Sequence, residues 1–261
     1  MKVILASTKD PAAKNIAEKL IGMFKFQKLS EGVYASSNIR LEMVTGEIGA
    51  LREPPAGAEE IIVASRHASA SGKPSLTAHV PGFLERRELA VAKPSAVRAT
   101  LVELKKAAKE LALPHQVSLE ATHHGPAHLD IPVIFVEIGS TEREWRNDAA
   151  GMAVAKAIMA AAKETTARNA IGVGGPHYAP LITEAVLGSD IGVGHIIPKH
   201  VETDESLLKK AIERTSGKVD VILLDWKGAT KEQRELCRKI SEELKIQVVR
   251  AGSILNAGSA I

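Results

Sequence analysis

Short apolar runs and helical periodicities alternate along almost the whole chain. Runs of aliphatic and β-branched residues predict strands. They cover Val3 to Ala6, Ile39 to Val44, Ile61 to Ala64, Val117 to Ala121, Val133 to Ile138, Ala170 to Val173, Ile191 to Ile197, Val219 to Asp225 and Gln247 to Arg250. Segments with apolar residues three and four apart predict helices. They cover Asp10 to Phe24, Ser95 to Leu111, Glu142 to Lys163, Leu181 to Leu187, Asp204 to Arg214 and Lys231 to Leu244.

This alternation predicts the fold class. Strands that are apolar on both faces and separated by helices are typical of a parallel sheet covered on both sides. The proline- and glycine-rich patches near Pro54-Pro55 and Gly72-Lys73-Pro74 are the size of loops. We therefore predict one α/β domain over residues 1–261, with a mostly parallel sheet and helices on both faces.

Composition narrows the function only slightly. The chain is 45% hydrophobic and 25% charged, as in ordinary globular proteins, but only 3% aromatic. Few rings are present to stack on single-stranded nucleic acid. The net charge of +3 permits an anionic partner without requiring one.

Cysteine and hydropathy suggest a compartment. Cys237 is the single cysteine, within a helical pattern, which predicts a packed thiol and a reducing environment. The run Met1 to Thr8 reads as a strand and not as a signal peptide. The sequence contains no apolar run of about 18 residues, so it predicts no membrane span. We expect a cytoplasmic protein with no membrane association and no obligate protein partner.

Histidines follow four of the predicted strands, at or near their carboxyl ends. They are His67, His123 with His124, His177 and His195. In open α/β sheets, ligands bind in the crevice outside the carboxyl ends of the strands. Four strands that each deliver histidine to this edge favour a functional cluster over four unrelated structural residues.

Two chemistries fit such a cluster, and the residues alone leave both open. Imidazole is a common zinc ligand, and it also takes protons near neutral pH. Adjacent strand residues point to opposite faces, so His123 and His124 are not expected to bind one metal if the strand continues that far. Glu120, Glu137 and Asp148 are possible carboxylate partners.

Several common catalytic signatures are absent from the sequence. There is no P-loop, no complete dinucleotide-binding fingerprint, no Gly-x-Ser-x-Gly elbow and no His-Glu-x-x-His helix. The glycines at 172–175 and 192–194 allow close backbone packing, and their amides could also bind an oxyanion. Basic residues near the strand ends could form a rim for a polyanion; they are Arg66, Lys73, Arg86, Arg87, Arg143, Arg146, Lys199 and His200.

A series of motifs resembles the archaeal and plant D-aminoacyl-tRNA deacylases, in the same order, from Lys2 to about Val249. The most specific are Thr122-His123-His124-Gly125-Pro126 and Gly175-Pro176-His177-Tyr178-Ala179-Pro180. The others are Ser65-Arg66-His67-Ala68-Ser69, Leu76-Thr77-Ala78-His79-Val80, Glu137-Ile138-Gly139-Ser140 with Trp145, Gly194-His195-Ile196-Ile197-Pro198-Lys199, and Asp225-Trp226-Lys227-Gly228.

The resemblance implies hydrolysis of the ester between a D-amino acid and the 3′ end of tRNA, a fold related to phosphorylases and peptidyl-tRNA hydrolases, and a zinc ion. With the strand-end histidines, this gives His67, His123, His124, His177 and Glu137 as candidate catalytic residues, and His67, His123, His177 and His195 as candidate metal ligands. The candidate substrate-binding residues are Arg66, Ser69, Thr77, His79, Gly125, Gly139, Ser140, Gly174, Gly175, Tyr178 and Lys199.

Under this hypothesis the histidines activate water, directly or through zinc, for attack on the ester carbonyl. Backbone amides near Gly139-Ser140 or Gly174-Gly175 would bind the oxyanion. The sequence departs from the family pattern at Pro81-Gly82-Phe83, where Thr-Gly-Asn and a glycine-rich insert are usual, and at Pro176, where glycine is usual. The alternatives are a phosphorylase- or peptidase-like hydrolase of small substrates and a tRNA-binding protein without catalysis.

Overall fold

The computed structural model describes residues 1–258, with side chains described up to residue 255. The strands are β1 (Lys2–Ser7), β2 (Gln27–Ser30), β3 (Val33–Ser36), β4 (Ile39–Val44), β5 (Glu60–Ala68), β6 (Ser75–His79), β7 (Gly82–Phe83), β8 (Glu88–Leu89), β9 (Gln116–Leu119), β10 (Val133–Ser140), β11 (Arg168–Val173), β12 (Ile191–Ile197), β13 (Val221–Leu224) and β14 (Gln247–Arg250). The α-helices are α1 (Pro11–Met23), α2 (Pro94–Glu110), α3 (Glu142–Trp145), α4 (Asp148–Ala161), α5 (Pro180–Leu187), α6 (Glu205–Glu213), α7 (Lys231–Leu244) and α8 (Ala251–Gly258).

The strands form two main sheets where one was predicted. A mixed sheet has the order β2-β3-β4-β1-β5-β10-β6-β9, and a parallel sheet has the order β12-β11-β13-β14. The short pair β7-β8 stands apart from both. The α/β class with mostly parallel strands is confirmed, while the likeness to phosphorylases stays a prediction.

Helices α1, α2 and α4 contact the larger sheet, and α4 packs against both α1 and α2. The smaller sheet has helices on both faces, since α6 and α7 share one core cluster and α2 and α5 belong to another. Helix α2 contacts strands of both sheets. The larger core cluster contains residues of both sheets, which is consistent with the predicted single domain; that domain assignment stays a prediction.

Local chemistry explains where several elements begin and end. Helix α1 begins after Asp10, whose side chain accepts hydrogen bonds from the amides of Ala12 and Ala13. Helix α7 begins with a capping box between Thr230 and Gln233. The long helix predicted from Glu142 to Lys163 is wrong, because Asn147 caps a new helix and divides the segment into α3 and α4.

The two main sheets meet at the segment that follows β9. Glu120 donates its amide to Ala78 of the larger sheet, and the next amide, that of Ala121, bonds to the carbonyl of His177 at 2.7 Å. Thr122 donates its amide to Ile196 of β12 at 3.0 Å. Residues 120–122 therefore join the sheets and bring the ends of their strands together.

Among residues 1–258, no helix is both long enough and apolar enough to cross a membrane.

Candidate functional site

Seven ionisable side chains converge where the two sheets meet, and we call them the His–Glu cluster. Strands β5, β6 and β10 and the segments after β9 and β11 supply them. They are His67, His79, Glu120, His123, His124, Glu137 and His177.

The carboxylate of Glu120 is at the centre of the His–Glu cluster. Its Oε1 is 3.1 Å from Nδ1 of His67, and its Oε2 is 3.5 Å from Nε2 of both His123 and His177. The Nδ1 atom of His79 is 3.7 Å from the same Oε2. The Glu120 side chain has no exposed surface, so its charge acts on these rings with little screening by solvent.

The two carboxyl groups have opposite pKa shifts. Burial raises the pKa of Glu120, but the contact of its carboxylate with His177 and the charges of His67 and His123 outweigh this effect, and the net pKa is lowered from 4.5. Burial, reinforced by the charge of Glu120, raises the pKa of Glu137 to about 7. At neutral pH, Glu120 is therefore ionised, while Glu137 is partly protonated.

The histidines also differ in protonation. Burial lowers the pKa of His123 to about 4 and that of His79 well below 6.5, and the neighbouring imidazoles add to both effects. Burial likewise lowers the pKa of His124. In His67, burial lowers the pKa, but Glu137 and Glu120 outweigh it and the net pKa is raised. The cluster thus combines neutral imidazoles with one that favours the charged form.

Backbone carbonyls fix the tautomers of two of these rings. The Nδ1 atom of His123 is 2.8 Å from the carbonyl oxygen of Ala121, and that of His124 is 2.8 Å from the carbonyl oxygen of Gly125. A carbonyl oxygen can only accept, so both Nδ1 atoms carry the proton. Each neutral ring therefore has its lone pair on Nε2. For His124, this lone pair lies 3.1 Å from Nε2 of His79.

The condition for placing His123 and His124 on opposite faces, a strand that continues to these residues, is not met. Strand β9 ends at Leu119, and His124 has a positive φ of 40°. The alternation of a strand therefore does not extend to these residues, and their ring centroids lie 4.5 Å apart.

Three groups within the His–Glu cluster each bring potential metal-ligating atoms within 4.8 Å of one another. They are His79, His123 and His124; Glu120, His123 and His177; and His67, Glu120 and Glu137.

The chemistry of these donors fits a metal ion. Both carboxylate oxygens of Glu120 and Nδ1 of His79 are buried without a hydrogen-bond partner among the described residues. Metal-binding histidines usually donate their second ring N–H to a carbonyl or carboxylate, as His123 and His124 do here.

His195 lies outside the His–Glu cluster, although the sequence grouped it with the other histidines. It is within β12 and fully buried. Its Nε2 is 3.0 Å from the carbonyl oxygen of Ala90, and its Nδ1 is 3.2 Å from Oγ1 of Thr122. Because both ring nitrogens have protein partners, we do not include His195 among the proposed metal ligands.

The glycines expected to supply an oxyanion site serve the fold. The amide of Gly174 bonds to Ile197 at 2.9 Å, and that of Gly175 bonds to Gly228 at 3.0 Å. A Cβ on Gly139 would lie 2.8 Å from a ring carbon of His67, so glycine allows that ring to pack against β10.

The predicted substrate residues divide by position. Thr77 and His79 are buried, whereas Ser69, Arg66 and Lys199 are more exposed. Arg66 and Gly125 line a cavity of about 550 Å³ that also contains His124, and Ser140 and Tyr178 line one of about 220 Å³. A smaller cavity of about 120 Å³ is lined by His123, His124, His177 and His200, among others. Another cavity, of about 620 Å³, is lined by Arg87 and residues of α6 and contains none of the cluster.

Tyr178 also bonds to the His–Glu cluster, since its hydroxyl is 2.7 Å from Nε2 of His67. Sequence reasoning named Glu120 only as one possible partner and did not include it among the catalytic residues. A charged residue directly after the buried run Val117 to Leu119 was the available signal, since charges are rarely fully buried without a partner.

The site lies where the two main sheets meet. It combines neutral imidazoles, an ionised carboxylate and a second carboxyl group with a raised pKa. These groups define a hydrolase-type site that can activate water. The model of the family described as D-aminoacyl-tRNA deacylase matches residues 55–249. The chain belongs to this family.

Named relatives agree with this assignment, and a solved structure shares the fold. The D-aminoacyl-tRNA deacylase of Thermococcus kodakarensis is 38% identical, covering 96% of this chain and 100% of its own length. That of Pyrococcus furiosus is 35% identical with the same coverage. The crystal structure of a conserved protein of unknown function is 27% identical, with a TM-score of 0.86 over 97% of this chain and 96% of its own.

Proposed function

We propose that this protein hydrolyses the ester bond of D-aminoacyl-tRNA and releases the free D-amino acid and tRNA. Family membership supports the substrate class. The single observation that carries the chemistry is the contact between His177 and Glu120, because it pairs a solvent-facing imidazole with a buried carboxylate. The protein acts in the cytoplasm as one domain, and tRNA is its partner.

His177 is the general base in this proposal. Its Nε2 faces Oε2 of Glu120 at 3.5 Å, and its side chain is 36% exposed. A proton on Nε2 would be held by the carboxylate, which leaves Nδ1 free to take a proton from water. The negative charge of Glu120 then stabilises the imidazolium that forms.

His67 and Tyr178 are the proposed route for returning a proton to the leaving 3′ oxygen. The pKa of His67 is raised because Glu137 and Glu120 outweigh the effect of burial, so this ring favours holding a proton. Its Nε2 is 2.7 Å from the Tyr178 hydroxyl, which is partly exposed. Glu137 supports this route because its own carboxyl group is partly protonated near neutral pH.

The site suits zinc, which we propose as the cofactor. His79, His123 and His124 would hold it through ring nitrogens, with His177 and Glu120 as the alternative partners of His123. Three protein ligands that leave an open position are typical of catalytic zinc, which lowers the pKa of bound water to about 7. His67, also predicted as a ligand, groups instead with the two carboxyl groups.

The decisive experiment compares D-tyrosyl-tRNA and L-tyrosyl-tRNA as substrates of the purified protein. We expect rapid release of D-tyrosine and much slower release of L-tyrosine. Equal deacylation of both, or of neither, would contradict the proposal. Activity on small esters or nucleosides without any dependence on tRNA would instead support a hydrolase of small substrates.

The metal is tested separately through metal content. The purified protein should contain about one equivalent of zinc by elemental analysis, and His123→Ala should lose it. His128→Ala is the matched control, because His128 is exposed and lies outside the three metal-ligating groups. Retention of zinc by His123→Ala, or full activity after exhaustive chelation, would contradict the metal assignment and leave the deacylase proposal intact.

A further inference from the structure

An unusual group of arginines surrounds Trp226, outside the His–Glu cluster. The guanidinium carbons of Arg250, Arg238 and Arg234 lie 4.0, 5.1 and 5.5 Å from the centroid of this ring. We call these four residues the Trp–Arg surface. Trp226 is half-buried against the core formed by α6, α7 and the smaller sheet, while Arg238 and Arg250 are exposed.

The arginines differ in whether their guanidinium N–H donors have partners within the protein. Arg234 donates two hydrogen bonds from Nη1, to the carbonyl oxygens of Trp226 and Ala229. Arg238 and Arg250 form no ion pair and no side-chain hydrogen bond within the described part of the chain. The ring holds these two guanidinium groups by cation–π contact, and their N–H donors stay available to an anion.

The Trp–Arg surface and the candidate active site both lie at the carboxyl ends of the strands of the smaller sheet. In the parallel register of this sheet, Val173 pairs with Leu224, and Leu224 pairs with Arg250. These three residues are the carboxyl ends of β11, β13 and β14. His177 follows the first of these ends and Trp226 follows the second, so both loops leave the sheet at one edge.

Direct contacts also connect the two loops. The amide of Gly175 bonds to the carbonyl of Gly228 at 3.0 Å, and the carbonyl of Gly175 accepts from the amide of Lys199 at 2.9 Å. Lys199 and Lys227 are both exposed and add positive charge to these segments. The loops that carry the Trp–Arg surface and His177 are therefore joined by backbone hydrogen bonds and carry two further exposed cations.

We propose that the Trp–Arg surface binds backbone phosphates of the tRNA acceptor stem while the aminoacylated 3′ end occupies the His–Glu cluster. This inference rests on the proposed deacylase function and adds the position of the nucleic acid. A double-stranded RNA backbone presents closely spaced negative charges, which complement unpaired guanidinium groups. Stacking of a base on Trp226 is disfavoured because three guanidinium groups already surround the ring.

The test uses the double variant Arg238→Ala/Arg250→Ala. Binding of tRNA that carries no amino acid is measured by fluorescence anisotropy at several salt concentrations. Loss of two phosphate contacts should weaken binding on the order of tenfold and reduce the salt slope by about 2. The matched control is Arg168→Ala/Lys218→Ala, which removes two exposed cations from the opposite edge of the same sheet. We expect this control to bind tRNA nearly as well as the wild type.

Kinetics separate this inference from the proposed function. The double variant should raise KM for D-tyrosyl-tRNA and leave hydrolysis of the short substrate D-tyrosyl-adenosine unchanged. Arg238→Lys/Arg250→Lys should recover part of the lost binding, which shows that the charge acts and that the fold is intact. Unchanged tRNA affinity in the alanine variant, or equal weakening in the control, would overturn the inference. Wild-type protein that binds tRNA through this surface without deacylating it would overturn the proposed function alone.

Discussion

Replacing Glu120 by glutamine keeps the size of the side chain and removes the charge at the centre of the His–Glu cluster. In the proposed mechanism this charge stabilises His177 as the ring becomes protonated. At the observed separation of 3.5 Å, and at an effective dielectric constant of about 20, the attraction between two full charges is about 5 kcal/mol. The side chain of His177 is 36% exposed, so solvent screening reduces this to roughly 3 kcal/mol.

A loss of that size corresponds to about a 100-fold lower kcat for Glu120→Gln, since about 1.4 kcal/mol changes a rate tenfold. The assay is single-turnover hydrolysis of D-tyrosyl-tRNA with enzyme in excess, which separates the chemical step from tRNA binding and product release.

The matched control is Glu60→Gln, which alters another buried carboxylate far from the candidate site. Glu60 pairs with Lys93 at 2.7 Å, at the opposite end of β5 from His67. This variant should lower the free energy of unfolding and leave kcat of the folded enzyme near that of the wild type. A Glu120→Gln rate within about threefold of wild type, or a loss no larger than in the control, would refute the charge-stabilisation argument.

Three further predictions concern residues outside the catalytic roles. Burial lowers the pKa of His195 from 6.5 to about 4, so the stability that the neutral ring contributes is complete above about pH 6.5 and is lost as pH falls towards 4. Denaturant unfolding of wild type and His195→Gln at pH 7.5 and pH 5 should show their stability difference shrinking by about 2 kcal/mol. Burial raises the pKa of the Cys237 thiol to about 12, so native protein at pH 8 should react with a thiol reagent at least 100-fold more slowly than unfolded protein, and equal rates would contradict the burial. A Cβ on Gly139 would lie 2.5 Å from Oγ of Ser75, so Gly139→Ala should lower the free energy of unfolding by about 1–3 kcal/mol, whereas Gly22→Ala, with open space around it in α1, should be neutral or stabilising.

Buried strands and capped helices were well predicted from the sequence because their signals are local. The predicted bounds of β4, β12, β14 and α7 are confirmed to the residue. Strand β6 was missed, since Ser75 to His79 mixes small, polar and apolar residues, and its burial arises from pairing with β9 and β10. The division into two sheets was also missed, because strand order depends on contacts distant in sequence.

The candidate site shows the same limit. Strand-end position predicted one cluster containing His67, His123 and His177, and all three rings contact the carboxylate of Glu120. It could not show that the His195 ring would instead contact Ala90 and Thr122. These contacts depend on the position of β12 in the smaller sheet, which the local sequence does not report. The path of the chain beyond the end of a strand also could not be predicted. At His124 it depends on a positive φ, which the hydrophobic pattern does not indicate.

The central claim is that the imidazole of His177, held by Glu120, activates water against a D-aminoacyl ester. The most direct test measures single-turnover hydrolysis of D-tyrosyl-tRNA by His177→Ala with and without added imidazole. Because the His177 side chain is 36% exposed, free imidazole can enter the vacated space. We predict a rate at least 100-fold below wild type that rises in a saturable way with imidazole, while His128→Ala shows neither effect. Hydrolysis by His177→Ala at the wild-type rate would contradict the claim.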